Sequence, residues 1–158
     1  MKKAIIIIAA VFGFAVMASA QPKAIGGRLG YGLEASYQHY LGSPNFLEVN
    51  AGLDLMGGKA GFKATGTYNF TFAQPSWTPR GNWAWYAGPG VTLGSTYYND
   101  DHNFFFGVVG QVGLEYKFWF PLQLSADVRP AFGICDGEFW GNGLYYSFIP
   151  TISVRYSF

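Results

Sequence analysis

The chain is poor in charge, in cysteine and in long apolar runs. Charged residues make up 12% of its 158 residues, about half the fraction of an ordinary soluble domain. The one cysteine, Cys135, cannot form an intrachain disulfide, so the fold cannot depend on one. Beyond residue 20 no apolar run approaches the length of roughly 20 residues that a transmembrane helix needs. Ten basic and nine acidic residues leave no basic excess that would favour nucleic-acid binding.

The chain is rich in aromatic residues, which make up 20% of it. Helix signals are almost absent after residue 20, whereas glycine is plentiful, at 22 residues. A chain this apolar, with no expected transmembrane helix, must bury its apolar side chains in a core or turn them toward lipid.

The first 20 residues have the pattern of a cleaved signal peptide. Two lysines precede an apolar run over residues 4–16, and Ala-Ser-Ala at 18–20 forms a small-residue cleavage site. The run is about 13 residues long, which is short for a membrane-spanning helix. An uncleaved anchor helix is the alternative. We expect a signal peptide at 1–20 that directs export, and a single domain at 21–158.

The rest of the chain alternates apolar and polar residues with a period of two, the pattern of β-strands. In residues 45–56, for example, Leu47 and Val49 share one face, and Glu48 and Asn50 share the other. Segments rich in glycine, proline or polar residues separate the runs, and we expect surface loops at 95–103 and 133–143. The pattern predicts eight strands, at 25–30, 33–41, 45–56, 61–72, 83–93, 104–118, 122–129 and 146–158.

The division between the first two strands depends on Gly30-Tyr31-Gly32. Residues 24–41 are too many for one strand, and an undivided segment would give seven strands in total. Bacterial single-chain barrels use even numbers of strands, so we predict a break at these residues. One long strand with a glycine-rich kink is the alternative.

The charges of the predicted strands all lie on one face. A soluble sandwich or lipocalin also alternates, with its apolar face inward. Here the polar face is small and charge-balanced, which suits a narrow lumen filled by ion pairs. Aromatic residues at strand ends, such as Trp83 and Tyr116, suit interfacial girdles. The expected lumen ion-pair network contains Arg28, Glu34, Glu48, Asp54, Lys63, Glu115, Lys117, Asp127, Arg129 and Arg155.

The sequence therefore predicts an all-β fold: a closed, eight-stranded, antiparallel, up-and-down transmembrane β-barrel with a polar, plugged interior. Closure is expected because lipid offers no hydrogen-bond partners to an open sheet edge. Lys23, Lys59, Arg80, Asp136 and Glu138 are expected at the N-terminus or in turns.

The last predicted strand ends on an aromatic residue with apolar residues at alternate positions before it: Ile152, Val154, Tyr156 and Phe158. This pattern resembles the C-terminal signature that the outer-membrane assembly machinery recognises. It predicts that machinery as a partner and the outer membrane as the location, with lipids and lipopolysaccharide around the barrel.

Two segments resemble a known family. Gly-Arg-Leu-Gly-Tyr-Gly at 27–32, followed by Ala-Ser-Tyr-Gln-His-Tyr-Leu at 35–41, is similar to the start of a porin-like branch of the small outer-membrane β-barrel family. That family includes the OmpA transmembrane domain and OmpX-like proteins. Leu-Glu-Tyr-Lys-Phe at 114–118 resembles a strand ending common there, whereas Gln38 and Tyr40 depart from the branch's Tyr-Lys-His-Phe-Leu pattern.

The resemblance implies a closed eight-stranded meander of a Gram-negative bacterium, with both termini in the periplasm. It does not select an activity, because such barrels include structural proteins, adhesins, narrow pores and a few lipid-modifying enzymes.

No catalytic or metal-binding constellation stands out in the sequence. A hydrolase needs a serine, a histidine and an acid that converge, but His39 shares a face with Tyr37 and not with Ser36. Asp100, Asp101 and His102 are adjacent on one predicted loop, a poor enclosure for a cation. We expect no metal and no cofactor, and we expect Cys135 to be an idle thiol.

We therefore expect a monomeric, non-enzymatic protein that is structural or interacts with the cell surroundings through its extracellular loops. No nucleic acid is expected as a partner, and the sequence does not identify an extracellular ligand. The alternatives are a narrow porin-like channel for small solutes or ions and a lipid-modifying barrel enzyme. Candidate loop contact residues are Asp100, Asp101, His102, Phe139 and Trp140.

Overall fold

The computed structural model describes residues 22–30, 32–42, 44–55, 60–98, 101–141 and 149–158, with the backbone alone at 96–98, 101, 140 and 141. The predicted signal peptide at 1–20 and the predicted turn at Gly57-Gly58 lie outside these residues. No helix in the described part of the chain is long and apolar enough to cross a membrane. Its strands are β1 (Lys23–Leu29), β2 (Gly32–Tyr40), β3 (Phe46–Asp54), β4 (Gly61–Ala73), β5 (Asn82–Tyr98), β6 (Asp101–Lys117), β7 (Leu122–Val128), β8 (Ala131–Cys135), β9 (Glu138–Gly141) and β10 (Thr151–Ser157).

Antiparallel pairing joins the strands into a ring. From β1 to β6, each strand pairs with the next, and β1 also pairs with β10. β6 pairs with β7 along one half of its length and with β8 along the other, so β7 and β8 are two parts of one barrel strand. β9 pairs with β8, and β10 pairs with β7, so they form the eighth. The predicted closed, eight-stranded antiparallel barrel is therefore confirmed.

Both ends of the described chain lie at the same end of the barrel. The Lys23 nitrogen donates to the Phe158 carbonyl at 2.9 Å, and the Phe158 nitrogen donates to the Lys23 carbonyl at 2.8 Å. The connections β2–β3, β4–β5 and β6–β7 lie at this end too. We call it the terminal rim, and we call the opposite end the far rim.

The predicted break near Gly30 is confirmed, because β1 ends at Leu29 and β2 begins at Gly32 with Leu29 directly opposite Leu33. Two predicted loops are wrong. Residues 95–98 and 101–103 continue β5 and β6 as a paired ladder. Residues 133–135 and 138–141 belong to the β8–β9 hairpin, whose turn is Asp136-Gly137, both at positive φ. A paired hairpin satisfies backbone groups that an irregular loop would leave to water.

Three charged residues also lie elsewhere than predicted, and one of them, Asp101, is the first residue of β6. Lys23 was expected to precede the strands, but it is the first residue of β1 and is buried. Glu138 was expected in a loop and is instead the first residue of β9, where it pairs with Cys135.

The two faces of the sheet are inverted relative to a soluble domain. In β3, Phe46, Glu48 and Asn50 are buried inside the ring, whereas Leu47 and Val49 are exposed on its outside. The same parity holds along the other strands, because side chains alternate between the faces of a closed sheet. The interior is therefore mainly polar, and the outer surface is apolar.

Candidate functional site

The lumen holds a cluster of six buried charged side chains. We call it the charge cluster, and it consists of Arg28, Glu34, Glu48, Asp127, Arg129 and Arg155. Strand register brings them together. Arg28 on β1 lies directly opposite Glu34 on β2, and Asp127 on β7 lies opposite Thr151 on β10. Because all of these positions share the inward parity, their side chains meet inside the ring.

Arg28 and Asp127 form the best-defined ion pair of the cluster. The two terminal nitrogens of Arg28 donate to the two carboxylate oxygens of Asp127, both at 2.6 Å. Arg28 also donates to Thr151, and the Tyr86 hydroxyl donates to Asp127 at 3.2 Å. Bidentate pairing fixes both side chains in orientation as well as in position.

Glu48 is the hub of the cluster. Its Oε1 lies 3.0 Å from Arg155 Nη2 and 3.7 Å from Arg28 Nη1, and it accepts a close hydrogen bond from Arg129. Gln38 donates to its other oxygen at 3.0 Å. One fully buried carboxylate thus contacts three guanidinium groups, and it shares Arg28 and Arg129 with Asp127.

Glu34 links the cluster to the far rim. Its carboxylate lies 3.4 Å from Arg28, 3.9 Å from Arg129 and 3.8 Å from Lys63 Nζ. The side chain of Lys63 is 17% exposed, so it is among the more solvated of the charged groups in the lumen. A small recess opens here, lined by Arg28, Gly30, Gly32, Glu34, Lys63, Arg129 and Thr151. We call it the far recess.

Toward the terminal rim, the lumen also holds amides and aromatic rings. Gln123 donates to Gln38 and, at 2.6 Å, to Glu115, and the Tyr40 hydroxyl donates to Glu115 at 2.8 Å. The rings of Tyr40, Phe46 and Tyr86 form a buried layer, with centroid separations of 5.3 Å and 5.2 Å. Together these side chains occupy the lumen at this level.

All ten charged residues predicted for the lumen lie on the inward face. Seven of them, the charge cluster with Lys63, are joined by ion pairs. Glu115 and Lys117 form a separate pair at 3.4 Å, in which Lys117 also lies over the Tyr40 ring. Asp54 is buried at the far end of β3.

Sequence reasoning missed the aromatic layer. The positions that alternate with the outward-facing apolar residues include Tyr40, Phe46 and Tyr86. This spacing, which they share with the polar residues of their strands, was the signal that they lie inside. The same holds for the uncharged network in which Thr67 donates to Gln111 at 2.8 Å and Asn69 to Thr67 at 2.9 Å.

The predicted contact residues belong to strands where the structure describes them. Asp100 lies outside the described residues, and Asp101 pairs with Tyr98 at the tip of β5–β6. His102 is exposed on β6, Phe139 is 82% exposed on β9, and Trp140 follows it on the same strand. The predicted assembly residues, Ile152, Val154, Tyr156 and Phe158, are exposed on the outer face at the end of the chain.

The histidines lie at opposite ends of the barrel. His39 is near the terminal rim, where its ring contacts the Tyr37 hydroxyl at 3.3 Å, and His102 lies near the tip of β6. The described residues contain no group of three or more histidine, cysteine, aspartate or glutamate side chains placed to hold a metal ion. Cys135 is a half-buried free thiol at the end of β8.

The fold resembles that of a β-barrel domain of known structure. The crystal structure of the N-terminal β-barrel domain of Pseudomonas aeruginosa OprF superposes with a TM-score of 0.62. The match covers 87% of this chain and 96% of that domain, at 14% sequence identity. No family model and no curated protein matches the sequence. At this identity, the likeness shows the fold alone, that of a small closed β-barrel.

Proposed function

We propose that the protein is an integral outer-membrane β-barrel with a closed lumen, which acts as a non-catalytic structural or surface-interacting element. The observation that carries the proposal is the inversion of the two faces. An apolar outer surface on a closed ring suits lipid, whereas in water it would be a very large exposed apolar patch. Both termini lie in the periplasm in this arrangement, and the β5–β6 and β8–β9 hairpins project outside the cell.

The chemistry of the interior supports a filled barrel. Five positive and five negative side chains share the inward face. The aromatic layer lies on the terminal-rim side of the Arg28–Asp127 pair. An eight-stranded barrel is just wide enough for its own side chains. Lipid outside and an ion-paired polar network inside account for the alternating pattern.

Gel mobility combined with fractionation tests the proposed location. A folded membrane barrel resists detergent at room temperature, so boiled and unboiled samples are expected to migrate differently. The protein is also expected in the outer-membrane fraction. A single mobility together with recovery in the soluble periplasmic fraction would overturn the proposal.

A narrow channel is the second candidate, and the far recess favours it because charged groups there reach the mouth of the lumen. Conductance would require the aromatic layer to open. In planar bilayers, we expect the unmodified protein to be silent. We expect Phe46→Ala to produce openings and Phe46→Leu, which keeps most of the volume, to produce none. Regular openings of the unmodified protein would support the channel instead.

A lipid-modifying activity is the third candidate, and no observation favours it. His39→Ala and His102→Ala variants test it through the masses of the cell's lipid A species. We expect no change, because the two histidines lie at opposite ends of the barrel. If the unmodified protein changes the mass of lipid A and either variant does not, the non-catalytic assignment is contradicted.

A further inference from the structure

The barrel wall is much lower on one side than on the opposite side. β1 has 7 residues and β2 has 9, whereas β5 and β6, across the ring, have 17 each. Each strand residue contributes roughly 2.5 Å of height at the usual tilt. All four strands have one end at the terminal rim. β1 and β2 therefore reach about 15–20 Å above that rim, and β5 and β6 reach about 40 Å.

The outer faces of both walls are apolar up to their upper residues. Leu29 and Leu33 are exposed near the top of the low wall, and Phe104 and Phe106 are exposed in the upper half of the tall wall. The apolar band of outer-membrane barrels is about 25 Å tall. A flat bilayer of that thickness would cover the end of the β1–β2 hairpin and would leave Phe104 above the hydrocarbon. A bilayer of uniform thickness therefore does not match both walls.

The end of the low hairpin is poorly suited to hydrocarbon. The Gly30 nitrogen donates to the Gly32 carbonyl at 3.2 Å, so the chain reverses here outside the regular ladder. Directly behind it lies the far recess, with the partly solvated Lys63 and Glu34. An unsatisfied backbone group or charge in hydrocarbon is far more costly than an ångström of bilayer thinning. The bilayer, and not the hairpin, is therefore expected to adapt.

We propose that the β1–β2 hairpin is a membrane-thinning surface, over which the headgroups of the outer leaflet descend to the level of Leu29 and Leu33 and to the mouth of the far recess. Along β5 and β6 the bilayer keeps its full thickness. The occupant of this low side is the lipid headgroup layer. A headgroup layer carries both phosphate and, in zwitterionic lipids, ammonium groups, which complement Lys63 and Glu34. This inference rests on the proposed placement of the barrel in a membrane.

Depth measurements on the full chain test the proposal. Single cysteines replace Leu33, Phe106 or Val49 in a Cys135→Ser background and carry a bimane fluorophore. The protein is refolded into phosphatidylcholine vesicles that contain brominated phosphatidylcholines, whose bromines quench at defined depths. We expect positions 33 and 106 to lie at the same depth, close to the headgroups, and position 49 to lie deepest.

The other outcomes separate this inference from the proposed function. If position 33 lies about 10 Å deeper than position 106, as the wall heights require for a flat bilayer, thinning is overturned and the membrane placement stands. If lipid quenches position 33 but not position 106, the bilayer is thin around the whole barrel, and the proposed asymmetry is overturned. If no position is quenched by lipid, the proposed membrane placement itself fails.

A longer hairpin provides the matched variant. Two residues, one polar and one leucine, are inserted after Leu29 and two more before Leu33, so that the side-chain parity is preserved. The end of the hairpin then rises by about 5 Å, and position 33 is expected to move about 5 Å deeper. The same insertions at the ends of β3 and β4, after Asp54 and before Gly61, are the control and should leave position 33 unchanged. No movement of position 33 in the longer hairpin would contradict thinning.

Discussion

At the scale of single residues, Glu48 has the most unusual position in the molecule. It is fully buried and faces Arg28, Arg129 and Arg155. Buried ion pairs contribute little net stability compared with apolar packing, but removal of one partner leaves a charge that nothing compensates. The main effect of losing Glu48 is therefore expected to be the buried positive charge that the loss leaves behind.

Glu48→Gln is expected to lower the free energy of unfolding by about 3–5 kcal/mol, because it removes the charge shared by three buried guanidinium groups. Urea unfolding of the barrel in lipid vesicles, followed by tryptophan fluorescence, measures the change. Glu138→Gln is the matched control, since the same substitution at this exposed residue of β9 should stay within about 0.5 kcal/mol. Equal losses in the two variants would show that the charge of Glu48 is not the cause.

At the scale of elements, β3 shows how one strand serves two environments. Phe46 and Glu48 face the filled lumen, and Leu47 and Val49 face outward at 41% and 50% exposure. A strand that lies between a core and water would show the opposite polarity. The alternation is a local property of the chain, so β3 alone predicts it. The assignment of the polar face to the inside needed the charge balance of all the predicted strands.

Val49→Arg is expected to destabilise the barrel in bilayers by about 2–4 kcal/mol, since this outward position lies near the middle of the apolar band. Leu55→Arg, just beyond the far end of β3, should cost about 0–1 kcal/mol because its side chain reaches the interface. Unfolding titrations in the same vesicles compare the two. A negligible effect at Val49 would mean that the outer face contacts water and not lipid.

The continuation of β5, β6 and β8 beyond the predicted strands is also a feature of whole elements. The segments at 95–103 and 133–143 are rich in glycine and polar residues, which favours loops in a sequence. These segments form paired strands because each one continues a strand that is already in register with its neighbour. The register of β6 and β8, for example, includes the Gly107–Gly133 and Phe106–Ile134 pairs. Two glycines directly opposite each other let the backbones approach without side-chain obstruction, since a Cβ at Gly133 would lie 2.1 Å from the Phe106 carbonyl oxygen.

At the scale of the whole molecule, closure is the property on which everything else depends. The first strand of the chain pairs with the last, so that Gly27 lies opposite Val154 on the outer face. An open sheet of the same strands would leave two edges without hydrogen-bond partners in lipid. Closure also brings Arg28 to Asp127, 99 residues along the chain.

A Gly27→Cys and Val154→Cys pair in a Cys135→Ser background is expected to form an intramolecular disulfide after folding, because directly opposed strand residues lie within disulfide reach. Gly27 has room for the new side chain. Non-reducing gels of denatured samples would show the compact, cross-linked form. Gly27→Cys with Val49→Cys is the control and should not cross-link, since β3 is not a neighbour of β1. A cross-link between positions 27 and 49, with none between positions 27 and 154, would contradict the closed ring.

Side-chain alternation depends on nothing beyond the strand itself, so the sequence was enough to predict the strands and to sort their residues, including the ten charged ones, onto two opposite faces. Gly30 and Gly32 likewise marked the break between β1 and β2 locally. The tertiary structure alone decided which charges meet, because the Arg28–Asp127 pair and the convergence of three arginines on Glu48 depend on register and closure. It also decided the unequal wall heights, since strand ends are set by whether a neighbouring strand is present to complete the hydrogen-bond ladder.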